Sequence, residues 1–482
     1  MSKPEGSWCI GAITLEALKP TAPAPPRLGR RAWLRTVAVT MLTSTPSVIM
    51  AACGGPLGGG RTQSPPASAL PPATLTFLSR GGPDQRALDD QVTAAFMGDY
   101  PTVKVEVVTA KDYENELIAQ AAGGSTPDVG FGLISTNVIH YLKKINRSLT
   151  PFIAKDKSFK RTDYDPYWLD VFDWHGQLVA VPLDPAMVVT YYNKTLFDNA
   201  SRRYPDPITA MTWEDTIALA KELTLDSSGR SAVGAGLDQD HVVQVGLEWT
   251  LFGHEWYPMV RQYGQEPFDP QFTKLNEEGA IQALQFLGDL YHKHRVSLAP
   301  NQQPKQPVGF DKGNVAIKVF GTWDVKTWRK TPGDVWDIAP MPHLQGKPRA
   351  GIGWGSGLEL LAGKAPADVA WELFKYLIGR KGQEIYVRGG LGQPMLKAMF
   401  NDPVFTQSAP PHHPEVLINE TKVAKPPIHS HPAYNDMKAI MGQALTAVYN
   451  GEKTASQAVH EVAPNINSTL SDWAKRIEEM SR

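Results

Sequence analysis

Residues Val179–Asn193, VAVPLDPAMVVTYYN, have the composition of a buried strand interrupted by two prolines, Pro182 and Pro185. Proline lacks the ladder N–H and restricts the residue before it, so a central strand rarely carries two. The run then resumes as Met187-Val188-Val189-Thr190-Tyr191-Tyr192. Two readings fit. In one, the chain leaves one sheet at Pro182–Pro185 and enters another, with a cleft beside the passage. In the other, the stretch is an ordinary strand–loop–strand on the surface of one domain.

The surrounding chain has 482 residues, too many for one ordinary core, and implies two or three domains. An apolar content of 42% with 20% charged residues is globular. Thirteen tryptophans are many and ask for a purpose. Beyond residue 52 the chain carries 42 basic and 47 acidic side chains, a net of −5, which argues against a nucleic-acid partner. Both cysteines, Cys9 and Cys53, lie near the N-terminus, so the body holds neither a disulfide framework nor a Cys-based metal site.

The N-terminal segment reads as an address and a tether. Arg30-Arg31-Ala32-Trp33-Leu34-Arg35 precedes a moderately apolar run from Thr36 to Ala52, the pattern of a twin-arginine export signal. That run is too diluted by Thr, Ser and Pro to span a membrane well. It ends in Ile49-Met50-Ala51-Ala52-Cys53-Gly54, small residues before a cysteine, similar to a bacterial lipobox with Met50 in place of the usual Leu. Residues 1–52 are thus expected to be an export signal and Cys53 a lipidation site. Residues 53–72, rich in Gly, Pro and Ser, form a tether.

The body begins with Thr74-Leu75-Thr76-Phe77-Leu78, an alternating strand. A helix with Leu88, Val92, Ala95 and Phe96 on one face follows, then a strand at Val103, Val105 and Val107. A second helix is capped by Asp112 and closed by Gly123-Gly124, and a third strand runs from Pro127 to Phe131. This order implies a parallel sheet whose ligands sit beyond the carboxyl ends of the strands. Further on, Thr212 caps a helix opening Trp213-Glu214-Asp215, with Asp215 set to bond back to the Thr212 N–H. Ala280, Ala283, Leu284, Leu287 and Tyr291 make an apolar helical stripe. Val315–Val319 is a strand, Pro366 starts a helix ended by Gly379, and the tail holds helices near Tyr434–Tyr449 and Ala455–Met480.

The blocks and their order resemble a known family. They are Pro101-x-Val103-x-Val105-x-Val107, Pro127-Asp128-Val129, Val181-Pro182 followed by Tyr191-Tyr192-Asn193-Lys194, Thr212-Trp213-Glu214-Asp215, Gly313-Asn314-Val315-Ala316 with Gly321-Thr322-Trp323-Asp324, and Ala370-Trp371-Glu372-Leu373. From about Thr74 to Met480 the chain resembles the extracellular solute-binding proteins of bacterial ABC importers, in their sugar-binding, maltose-binding-protein-like group. The resemblance implies an α/β fold of two lobes, periplasmic-binding-protein-like, with three hinge crossings and a ligand cleft between the lobes. The crossings would fall at Pro185–Met187, near Gly355–Glu359 and near Val423–Pro427. The N-lobe would comprise 73–185 and 358–422, and the C-lobe 186–357 and 423–482.

A cleft that holds a sugar needs aromatic plates for C–H faces and polar groups for hydroxyls. Trp323 matches the family's stacking position, and Asp324 beside it can accept hydroxyl hydrogens; the competing reading is a Trp packed on its own sheet. Trp354 and Gly355 lie in the glycine-rich stretch Gly351–Gly357 at the second crossing, either as a cleft wall or as a hinge spacer. Arg80 and Gly81 follow the first strand, Phe131 and Ser135 the third, and Asp184 sits between the crossing prolines. Trp249 and Trp256, seven apart, divide evenly between core and cleft. Trp213 and Trp371 read as structural, and Asp128 as a carboxylate bonding backbone in its turn. His431 or Tyr434 would supply a further wall where the family usually has Trp.

The expected function is a lipid-anchored extracytoplasmic receptor that captures a carbohydrate by hinge closure and hands it to an ABC permease. It would be a monomer, bound to the membrane only through its lipid, without cofactor or metal and without enzymatic activity. His412-His413 and His429/His431 lack carboxylates at ligand spacing. Two alternatives stay open. A secreted glycan-active enzyme would need paired carboxylates, with Asp184 and Asp324 the nearest pair. A receptor for a non-sugar solute (a glycerol phosphate derivative, a polyamine or iron) would need other chemistry in the cleft.

Overall fold

The computed structural model describes residues 70–183, 185–249, 256–269, 273–390, 392–424 and 431–482. The export signal, Cys53, most of the tether, and Asp184 lie outside these residues. Within residues 64–482, which form one compact unit, the strands are arranged in two main sheets. In chain order they are β1 (Ala73–Ser79), β2 (Val103–Thr109), β3 (Val129–Leu133), β4 (Asp173–Trp174), β5 (Gln177–Leu178), β6 (Val181–Pro182), β7 (Ala186–Asn193), β8 (Leu225–Asp226), β9 (Val242–Trp249), β10 (Val315–Gly321), β11 (Trp336–Ala339), β12 (Gly353–Trp354) and β13 (Ser356–Leu360).

The first sheet has the order β2-β1-β3-β13-β6. β1 pairs in parallel with β2 and with β3, as the strand–helix–strand alternation of residues 73–133 predicts. β13 then inserts antiparallel between β3 and β6. The helix Pro83–Asp99 covers one face, with Val92 and Phe96 fully buried. Asp112 stands at the N-cap of the helix Tyr113–Ala122, but its carboxylate accepts from the Asn115 side chain and does not cap. Glu116, a turn later, accepts from the Lys111 and Asp112 N–H groups instead. Asp128 holds the Thr76 and Ala365 N–H groups, main-chain partners as expected but on β1 and beyond β13 rather than in its own turn.

The second sheet has the order β11-β7-β10-β9-β8, with β12 paired antiparallel to β7. All eight residues of β7 are buried. Thr212 caps the helix Trp213–Leu223 through the Asp215 N–H. Its hydroxyl donates to the Asp215 carboxylate, so that carboxylate meets the Thr212 side chain. The stripe Ala280, Ala283, Leu284, Leu287 and Tyr291 is buried on the helix Glu278–His292. That helix packs with Tyr434–Tyr449 and Ala455–Ser481. Among the described residues, no helix is long and apolar enough to cross a membrane.

The chain passes between the sheets where the prolines stand. β6 ends at Pro182 in the first sheet and β7 begins at Ala186 in the second. It returns at Gly355, between β12 on the second sheet and β13 in the first. The third passage starts from the helix Glu415–Val423, which packs against β7. Arg349 pairs with its buried Glu420, and Gly351 bridges to Ala424. A lobe boundary at residue 422 therefore falls at the end of a helix already seated on a second-sheet strand. Residues 425–427 of that crossing lie outside the described residues.

Candidate functional site

The turn after β10 carries Trp323 and Asp324, and two groups of β7 hold it. The Tyr191 hydroxyl donates to the Gly321 carbonyl at 3.0 Å, and the Met187 N–H donates to Thr322 Oγ1 at 3.0 Å. The Trp323 ring folds back over Gly321, so that a Cβ there would stand 1.6 Å from Trp323 Cζ3. Trp323 is partly exposed and meets Trp354 with ring centroids 4.6 Å apart and planes inclined by 44°. Trp354 ends β12, one residue before the passage at Gly355. Next to that passage, Arg80 donates to Ser356 Oγ at 2.6 Å. The Arg80–Ser356 bond and the Trp323–Trp354 contact thus flank Gly355 where the chain passes between the two sheets, and Asp324 follows Trp323 in its turn. Burial raises the Asp324 carboxyl above its usual range, with Lys318 and Lys326 opposing.

The other candidates have these surroundings. Phe131 is 3% exposed, with its ring on Phe77 in the first core. Ser135 is buried beyond β3, and Gly81 is exposed with φ +122° beyond β1. Trp249 is 3% exposed, lies edge-on to Trp213, and its carbonyl accepts from Tyr291. It lines a cavity of about 260 Å³ with Glu248, Ser297 and Gln302, a lining that includes neither Trp323 nor Trp354. Trp256 is buried against Tyr257 and Phe268. Tyr434 is buried at the start of its helix. His431 Nδ1 accepts from the Ala433 N–H, and burial lowers its pKa, so the ring is a neutral acceptor there. Asp184 lies outside the described residues.

Two features at the site escaped the sequence reading. The first is Tyr167, on the short helix Pro166–Asp170 that packs on β6. Its hydroxyl donates to the Gly353 carbonyl at 2.9 Å and accepts from the Gly353 N–H at 3.1 Å. The aromatic pair Tyr167-Trp168 after a proline was the available signal. The second is a buried charge group beneath the loop that follows β3. His140 lies between Glu114, 3.0 Å from Nε2, and Glu359, 2.9 Å from Nδ1, while Asn137 and Asn146 donate to the same Glu359 oxygen. Burial alone would lower the imidazole pKa. The Glu359 charge and the hydrogen bonds to both carboxylates outweigh it and raise it to about 10. No spacing in the sequence links residues 114, 140 and 359.

Comparison with known proteins adds a family and a fold. The profile of the bacterial extracellular solute-binding proteins matches residues 81–384. An ABC substrate-binding protein from Listeria monocytogenes, solved in complex with cycloalternan, superposes with a TM-score of 0.70 at 22% identity, over 83% of this chain and 99% of that one. The sugar-binding protein MalE of Xanthomonas citri gives 0.68 at 20% identity, over 84% and 99%. Maltose-bound MalE3 of T. maritima gives 0.65 at 19%, over 82% and 99%.

Proposed function

The chain belongs to the bacterial extracellular solute-binding proteins, and from that premise we propose that it captures a carbohydrate at the Trp323–Trp354 corner and delivers it to an ABC permease. The observation that carries this reading is the inclined tryptophan pair at the passage between the sheets, with Asp324 next to Trp323 in the chain and Arg80 bonded to Ser356, two residues after Trp354. Indole faces take the C–H surface of a sugar ring, and the carboxylate and guanidinium take hydroxyls. Similar folds solved with cycloalternan or maltose support a saccharide as the ligand class. Nothing in this arrangement calls for bond cleavage, and the work done is capture. The ligand stabilises the state in which both lobes touch it.

Family membership places the body outside the cytoplasm. We further propose that cleavage before Cys53 and acylation of its thiol anchor it there, with residues 54–72 as the tether. A Cys53→Ser chain is then released from the membrane fraction, and its retention there would refute the anchor.

The test of ligand class is calorimetry and thermal shift with maltose, maltotriose, maltotetraose and other mono- and oligosaccharides. A saccharide at 100 times its Kd should stabilise the fold by about 2.7 kcal/mol. Trp323→Ala should abolish most of that response while keeping the fold. A response to amines or phosphates with none to any saccharide would overturn the class.

A further inference from the structure

β12 is only two residues long and ends in Trp354. Gly353 faces Met187 across the β7 ladder, and Val188 donates to the Ile352 carbonyl. In that register Gly353 is a non-hydrogen-bonded pair residue, so its own N–H and C=O point away from β7. Unmet, they would be two main-chain groups without partners at a buried position. The Tyr167 hydroxyl meets both, as donor to the carbonyl and acceptor from the N–H. The other sides of Gly353 are closed: a Cβ there would lie 2.4 Å from Met187 Sδ and 2.7 Å from Trp168 Cη2. The Tyr167 ring stands edge-on to Trp168, at 4.8 Å and 82°. Burial raises the phenol pKa well above its usual value, so the hydroxyl keeps its proton at any physiological pH.

We propose that Tyr167 is a positioning residue for the binding corner: its hydroxyl clamps both main-chain groups of Gly353 and thereby fixes Trp354 against Trp323. The proposal rests on reading that corner as a carbohydrate site. The clamp also runs from a helix on the first sheet to a strand on the second. Tyr167 therefore ties the orientation of the stacking face to the relative setting of the lobes. Its proposed action runs through Trp354.

The test is Tyr167→Phe, which keeps the ring packing on Trp168 and removes both hydrogen bonds. Two indoles at 4.6 Å and 44° couple and give a bisignate circular-dichroism band, isolated as the difference between wild type and Trp354→Phe. In ligand-free Tyr167→Phe that band should shrink or change sign, and an unchanged band overturns the proposal whether or not any sugar binds. With maltotriose as probe, Tyr167→Phe should bind about tenfold more weakly, the scale of one to two neutral hydrogen bonds. On a Trp354→Ala background the same change should cost nothing; an equal loss on both backgrounds overturns the route through Trp354. Wild-type protein that binds no saccharide refutes the proposed ligand class and leaves the ligand-free band to decide the role of Tyr167. Should the variant not fold, exchange of the Gly353 amide in the wild type decides: protection supports the clamp and rapid exchange refutes it.

Discussion

Gly321 has φ −81° and ψ 151°, a backbone that alanine adopts without strain. Its lack of a side chain matters for another reason, because the Trp323 ring occupies the space a Cβ would fill. Gly321→Ala should push the indole off its position, weakening maltotriose binding at least tenfold at a stability cost of about 1–3 kcal/mol. Calorimetry beside urea unfolding separates the two effects. His140 makes a different prediction. The folded histidinium keeps its proton to about pH 10, whereas unfolded histidine releases it near 6.5. Its contribution is complete below about pH 6.5 and is lost as the pH climbs to about 10. Wild-type urea midpoints should fall across that window. His140→Leu should remove that dependence and destabilise by about 3–5 kcal/mol at neutral pH, because it strands two carboxylates. Single residues were only partly legible in the sequence. Trp323 stands out because it matches the stacking position of the resembled family, and Trp354 because it lies in the glycine-rich stretch Gly351–Gly357. Phe131 lies in the middle of β3, two residues short of the strand end expected for it, and Trp249 ends β9, but alternation along a strand tells which residues share a face, not which face meets the cleft. Tyr167 was missed because its partner is main chain, which leaves no mark at any particular residue type.

Among elements, the prolines of Val179–Asn193 were the most informative signal, since the missing N–H groups forbid one continuous central strand. The strands β1, β2, β3 and β10 and the longer helices were readable from their periodicity, whereas β9, eight residues long, was not. The two-residue strands β4, β5, β8 and β12 were not, because two residues carry no alternation to detect. The helix Glu415–Val423 was also hard to assign to a lobe, since it serves the passage between them. Glu420, fully buried on this helix against Arg349, gives that passage a pH dependence. Burial raises its carboxyl to about 7, and the Arg349 charge offsets this only in part. An unfolded glutamate ionises near 4.5, so folding grows less favourable as the pH rises from about 4.5 through 7. In Glu420→Gln the urea midpoint should change less between pH 5 and 7.5 than in the wild type. An identical slope in the two proteins would remove Glu420 from this role.

At the scale of the whole molecule, two sheets are joined at Pro182–Ala186, at Gly355, and through the Glu415–Val423 helix. Contacts also reach from one to the other at the rim, where Lys330 pairs with Asp84. In the proposed closure such a frame turns as two rigid bodies about a few residues. Small-angle scattering should therefore show a smaller radius of gyration on adding a bound saccharide, while an unchanged radius would mean capture without closure. The two-lobe plan was legible from the order of blocks along the chain. The way β13 enters the first sheet was not, and that detail has its own consequence. β13 lies between β3 and β6, yet it is made more than 170 residues after β6. Every strand of the second sheet, from β7 to β12, is synthesised in that interval. The lobe that the chain begins first is thus the one whose sheet is completed last, and until then β3 and β6 await the strand that joins them.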